Sequence, residues 1–343
     1  MKAWLLREVS DLSKEKQPLR LADVSKPIPG PHEVLIHIRC CGICHTELDE
    51  IEGRTPPPVY PVIPGHQVVG VIERNGVQAK RFKEGERVGV AWIFSACGEC
   101  EYCRGGMENL CMNFRATGRD NHGGYAQFMV IDENFVYPVP HVFSDVEAAP
   151  LLCAGAIGYR SLMLAGLSDG QLLGLTGFGS SGHLVLKMAC HLYPNSSIYV
   201  FARSKQEQDF ARELGAVWAS DPSESSPEKL HAIIDTTPAW RPVTAALSNL
   251  RPGGRLVINA IRKESGDQRA LLDLNYRDHL WMEKEVKSVA NITRSDVENF
   301  LALAASIPIK PQTETYTFDQ ANTAILELKR GDLRGAKVLV CND

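Results

Sequence analysis

Apolar positions follow two different rhythms along the chain. Through residue 150 they come as short alternating segments between turn signals, as in EVLIHIRC (33–40) and GYAQFMVI (124–131), and 12 of the 20 prolines lie there. A period of two marks strands with one buried face, so this part is expected to form an irregular all-β unit such as a barrel. After Pro150 the period changes. QLLGLTG (171–177), SSIYVFA (196–202), HAIID (231–235) and GRLVINA (254–260) read as buried strands. Between them HLVLKMACHL (183–192), KQEQDFARELGA (205–216) and PVTAALSNL (242–250) read as helices, with PGG (252–254) as a turn. Strand and helix alternating at these lengths predict an α/β unit built on a doubly wound parallel sheet. The remaining segment, with the helix SDVENFLALAA, returns to a mixed character and is expected to rejoin the first unit. The expected limits are 1–153, 154–287 and 288–343. SDPSESSPEK (220–229) reads as a solvated loop.

Composition narrows the class. The 343 residues are 44% hydrophobic and 23% charged, enough apolar material for two domains, each with its own core. A net charge of -4 argues against nucleic acid or an anionic membrane as the main partner. The N-terminal MKAWLLREVS stops being apolar at Arg7, short of a secretory h-region. The most apolar stretch, AAPLLCAGAIGY (148–159), is bounded by Glu147 and Arg160 and reads as a core segment too short to span a bilayer. A cytoplasmic, reducing location is therefore expected, in which clustered cysteines bind metal rather than form disulfides.

Cysteines do cluster. CGECEYCRGGMENLC places Cys97, Cys100, Cys103 and Cys111 at C-x2-C-x2-C-x7-C. Four thiolates fill a tetrahedral zinc completely and leave no position for a substrate. The bacterial iron–sulfur motif starts the same way but needs its fourth cysteine three residues on, followed by proline. Here that gap is seven and the next residue is Met112. The lobe is thus expected to be a structural zinc clamp. A second set, Cys44 in CGICHTELDE (41–50), His66 in PGHQVVG (64–70) and Cys153 in the apolar run, is weak residue by residue, because a lone buried cysteine is usually a small hydrophobe. Cys40, Cys41, Cys190 and Cys341 read as ordinary thiols.

GFGSSG (177–182) fits G-x-G-x-x-G between an expected strand and an expected helix, the context that gives the motif meaning. Gly177 allows the tight turn, Gly179 a close backbone approach to pyrophosphate, and Gly182 tight packing of helix on strand. Ser180 and Ser181 open the helix, whose N-terminal N–H groups would face the phosphates.

With CGICHTEL, PGHQVVG, the CGECEYC…C lobe, APLLCAG and this glycine turn in order, nearly the whole chain resembles the zinc-dependent medium-chain alcohol dehydrogenases. The resemblance implies a GroES-like catalytic domain followed by a Rossmann domain, and two zinc ions per chain. It implies Cys44, His66 and Cys153 as ligands of a catalytic zinc, whose fourth position is left for substrate. It also implies reversible oxidation of an alcohol to an aldehyde or ketone with hydride transfer to NAD(P). Thr46 would be the first proton acceptor, His45 would meet the cofactor pyrophosphate and Trp92 would line the substrate pocket. Members form dimers and tetramers. Three positions depart from the family pattern. Gln67 replaces the Glu of GHE, Glu47 replaces the Asp of CHTD, and Asp49 stands where many members relay a proton through His. Where NAD-binding members carry an acidic residue after the second strand, this chain has Ala202, Arg203, Ser204 and Lys205. Arg203 and Ser204 suit a 2′-phosphate, so NADP is expected to be preferred over NAD. Two other readings are a zinc-independent reductase of activated double bonds or quinones on the same fold, and a zinc-ribbon binding module.

Overall fold

A computed structural model describes residues 1–307, 309–331 and 335–341. Contacts divide the chain into two units, Met1–Cys153 with Ile292–Asp343, and Ala154–Asn291. In the first unit the long strand Glu33–Ile43 carries most of the architecture. It pairs antiparallel with Gln67–Asn75, with Phe128–Asp132 and with Ala336–Val340. Gln67–Asn75 continues the sheet through Arg87–Val90 to Val136–Pro138, and Thr313–Thr317 adds a parallel edge to Ala336–Val340. Val34, Leu35, Ile36 and Ile38 are buried in this strand together with Cys40 and Cys41, so the sheet is buried on both faces where the strand is longest. The C-terminal return is therefore a strand of this sheet, with Leu339 opposite Cys41.

The second unit is a six-stranded, wholly parallel sheet. In spatial order its strands are Trp218–Ser220, Ser197–Phe201, Leu172–Thr176, Leu230–Asp235, Leu250–Ile258 and Glu285–Ser288. Numbered along the chain this is 3-2-1-4-5-6, the dinucleotide-binding order, with its switch point between Leu172–Thr176 and Leu230–Asp235. The core strands are near-continuous apolar runs because both faces are covered. Helices Ser180–Leu192, Lys205–Glu213 and Arg241–Asn249 form the crossovers.

Three expectations need correction. PGG is not a turn between elements. It lies within the strand Leu250–Ile258, where Gly253 takes φ +69° and the register slips against Leu230 and Ala232, so it is a bulge. The sheet runs past residue 287, since Glu285–Ser288 pairs along Leu250–Ile258, and the unit ends at Asn291. The apolar run 148–159 belongs to a longer helical stretch, Asp145–Ala165, which by length and apolarity alone is able to cross a membrane. Of its apolar window 61% is buried within the protein, and Ala148, Ala149, Leu151, Leu152, Ala156 and Leu162 are fully covered, as in a core helix.

Candidate active site

Three loop and helix ends bring Cys44, His66 and Cys153 together, with their ligand atoms all within 4.8 Å of one another. Cys44 is the N-cap of the helix His45–Ile51 and its Sγ accepts the Thr46 N–H at 3.4 Å. His66 follows Gly65, whose φ of +96° and contact with the Tyr125 ring exclude a side chain. Cys153 sits in the π-helical turn Leu151–Gly155, a widened turn of the kind that recurs at functional sites. Cys44 Sγ lies 3.6 Å from His66 Nε2. A tetrahedral zinc with bonds of about 2.3 Å to sulfur and about 2.0–2.1 Å to nitrogen requires about 3.5–3.6 Å between them. The Cys44–His66 pair therefore already has zinc spacing, and Cys153 Sγ lies within 4.8 Å of both.

Glu47 supplies what the sequence reading missed. It is fully buried, and its two oxygens serve two ligands at once. Oε1 meets His66 Nδ1 at 2.6 Å, and Oε2 accepts the Cys44 N–H at 2.8 Å. Holding Nδ1 presents Nε2 to the metal and fixes the ring. Burial disfavours a charged His66, but Glu47 and Cys44 outweigh it and hold the imidazole proton well above the usual range. The bond with Cys153, and then burial, push the Cys44 thiol up. The metal-free pocket thus keeps its protons, and a metal must displace them.

The neighbours are distributed as follows. Thr46 is half-buried in the first helical turn beside Cys44, and His45 is exposed before it. Asp49 is buried, and its Oδ1 accepts from Arg54 Nε at 2.5 Å, which gives the expected relay carboxylate a guanidinium partner. Gln67 is buried over Gly42, where a side chain would meet Gln67 Oε1 at 2.5 Å. Trp92 is partly buried against the Phe114 ring, 5.4 Å between centroids. Glu50, which the sequence reading left aside, is buried and neither carboxylate oxygen has a hydrogen-bond partner among the described residues. Burial, then the nearby Glu47, push its carboxyl well above the ordinary value.

The second cluster is Cys97, Cys100, Cys103 and Cys111, with all sulfurs within 4.8 Å. Cys97 Sγ is 3.5 Å from Cys111 Sγ and 3.8 Å from Cys103 Sγ. A zinc bound by four thiolates has sulfur–sulfur edges of about 3.8 Å, so these residues also fit. Backbone N–H groups of Cys97, Cys100 and Asn113 donate to cluster sulfurs at 3.4–3.5 Å, which favours thiolates. Glu108, one of the acids of the lobe, is buried and accepts both the backbone N–H and Nε of Arg294 at 2.9 Å, tying the lobe to the helix Arg294–Ser306.

In the second unit the glycine turn joins Leu172–Thr176 to Ser180–Leu192. Gly177 has φ +83°, a side chain on Gly182 would strike Gly177 O at 2.7 Å, and the Cβ position of Gly179 faces open space. The Gly177 N–H donates to Phe201 O at 2.9 Å, which sets the end of the second strand, and so Arg203, beside the turn. Ser181 lies in the first helical turn with Gly182, and the side chain of Ser180 is outside the described residues. Arg203, Ser204 and Lys205 are exposed. Ser204 caps the helix Lys205–Glu213 in a reciprocal box with Glu207, and Lys205 pairs with Asp209 at 3.0 Å. A carboxylate therefore does return to this strand end, through the helix rather than the strand.

Comparison with known proteins places these features. The model of the alcohol dehydrogenase GroES-like domain matches residues 30–141. A probable alcohol dehydrogenase, AdhA, of Mycobacterium tuberculosis is 39% identical over 99% of this chain and 97% of its own. Among solved structures, a cinnamyl alcohol dehydrogenase from Sorghum bicolor is 29% identical with a TM-score of 0.84, covering 99% of this chain and 97% of that one. CAD from Helicobacter pylori, solved as a complex with NADP(H), is 25% identical at the same TM-score and the same coverage.

Proposed function

The chain belongs to the zinc-type medium-chain alcohol dehydrogenase family, and on that premise we propose that it is a zinc-dependent enzyme that prefers NADP(H). Oxidation of an alcohol coupled to a nicotinamide nucleotide is the family's reaction. The observation that carries zinc dependence is the set of three donors, Cys44, His66 and Cys153, spaced for a tetrahedral ion with one position to spare. Zinc bound there acts as a Lewis acid that lowers the pKa of a substrate hydroxyl. Glu47 orients His66 and Cys44, and Thr46 Oγ1 accepts the hydroxyl proton while passing its own proton on to solvent as the alcohol is oxidised. Asp49, locked to Arg54, anchors the helix that carries Thr46. Trp92 bounds the substrate, a small alcohol or aldehyde. The four-cysteine lobe holds a second zinc with no open position and keeps the loop folded.

In the second unit Gly177, Gly179 and Gly182 with Ser180 and Ser181 hold the pyrophosphate, and Arg203 takes the 2′-phosphate with Lys205 nearby. The edge strand Glu285–Ser288 is exposed along its length, and Tyr276, Trp281 and Met282 are exposed before it. An uncovered strand edge with apolar neighbours supports a homo-oligomer, a dimer or tetramer. Ten free cysteines suit a reducing, cytoplasmic setting. A zinc-ribbon module would leave the dinucleotide-order sheet without a role, and a zinc-independent reductase would leave the three donors without one. The test is a screen of short, branched and aromatic alcohols and aldehydes with both cofactors, before and after zinc removal and readdition. Turnover that survives full zinc removal, or higher kcat/KM with NAD than with NADP, would refute the reading.

A further inference from the structure

Ser204 was expected to donate to a 2′-phosphate, but its one hydroxyl proton is engaged. Ser204 Oγ donates to Glu207 Oε2 at 2.9 Å and accepts the Glu207 N–H at 3.1 Å, while the Ser204 N–H also points at Oε2, at 3.3 Å. A hydroxyl has one donor and two acceptor sites. Used this way, Ser204 has only a lone pair left, which suits a ribose 2′-hydroxyl and gives a phosphate nothing. The Glu207 carboxylate adds like charge at the same place. Its surroundings do not cancel it. Lys205 is paired with Asp209, which also holds Arg212 at 2.8 Å, and the carboxylate of Asp221 is close enough to feel the charge of Arg203.

We infer that Glu207 is a specificity-determining residue: through Ser204 it opposes the 2′-phosphate that Arg203 attracts, and so sets how strongly NADP is preferred over NAD. The site is the strand end that the Gly177–Phe201 hydrogen bond holds beside the glycine turn. The inference rests on the proposal that the 2′-phosphate lies at Arg203.

The test uses Glu207→Gln, which keeps a residue able to complete the capping box while removing the charge. Purified full-length wild type and variant are titrated with NADP+ and with NAD+, followed by calorimetry without substrate, at low and high salt. The ratio of NADP+ to NAD+ affinity is expected to rise about tenfold in the variant at low salt, and less at high salt because exposed charges are screened. Glu207→Ala, which loses the cap as well, must move the ratio in the same direction although it lowers the melting temperature. A ratio that stays unchanged or falls in Glu207→Gln overturns the inference. Arg203→Ala separates the two claims. If it weakens NADP+ selectively while Glu207→Gln leaves the ratio alone, the phosphate site stands and the role of Glu207 falls. If it weakens both nucleotides equally, the phosphate site itself is wrong, and the inference falls with it.

Discussion

Replacing Glu47 by Gln tests the least visible part of the zinc site. Both groups that Glu47 serves, the Cys44 N–H and the His66 Nδ1–H, are donors when His66 binds metal through Nε2. A carboxylate accepts with both oxygens, whereas an amide offers one oxygen and one NH2. Glu47→Gln must therefore face a donor with a donor on one side, in a pocket where Glu47 is fully buried and His66 is 1% exposed. Loss of such a partner costs about 10–100-fold in metal affinity, or about 1.4–2.7 kcal/mol. Glu47→Ala loses the same orientation. It also removes one half of the capping box, leaving the Cys44 N–H without its acceptor, for about 1 kcal/mol more. Glu47→Asp keeps two acceptors on a shorter arm and is expected to lose least.

The assay is zinc transfer to a chromogenic chelator, resolved into the two ions per chain. Only the ion at Cys44, His66 and Cys153 should leave more readily, while the four-cysteine ion stays. This readout is preferred to a melting curve because metal-linked unfolding is not two-state. A Glu47→Gln protein that holds both ions as tightly as wild type would show that the 2.6 Å contact does not orient His66 for metal.

Other expected outcomes follow from the same geometry. Cys44→Ser should abolish turnover with little loss of fold, whereas Cys100→Ser should lower the melting temperature and promote aggregation; the reverse pattern would invert the assigned roles. Zinc uptake by metal-free protein should release protons from Cys44 and His66, so calorimetric heats should depend on the ionisation enthalpy of the buffer; buffer-independent heats would contradict the raised pKa values of these two groups. Glu50 has a folded pKa above its ordinary 4.5, so the native state binds more protons than the unfolded one between those values and stability falls as pH rises through that window. Glu50→Gln in metal-free protein should therefore gain more melting temperature in mildly alkaline than in mildly acidic buffer, and a gain independent of pH would discount the buried charge.

What could be read along the chain was whatever is local in it. SSIYVFA and HAIID announce buried parallel strands because covered faces need continuous apolar residues, and the structure places strands at Ser197–Phe201 and Leu230–Asp235. Glu285–Ser288 escaped because EVKS is exposed along its length and has no burial to pattern it. The PGG bulge reads as a turn for a related reason: glycine reports a positive φ, and a strand bulge uses one as readily as a loop does. At the site, the donors were legible by type and spacing, but their supports were not, since Glu47 reaches His66 across 19 positions and Glu108 reaches Arg294 across 186.

Two supports did carry a local signal. C-x-x-E at 44–47 and S-x-x-E at 204–207 have capping-box spacing, and the structure forms both boxes. Read physically, that spacing says which polar groups are already occupied before any ligand arrives. At Cys44 it turns the backbone N–H toward Glu47 and leaves the sulfur for metal. At Ser204 it takes the hydroxyl proton away from an incoming phosphate. The same four-residue device thus prepares one site for a cation and resists an anion at the other. In both, the acid three residues on decides what the capping residue can still offer.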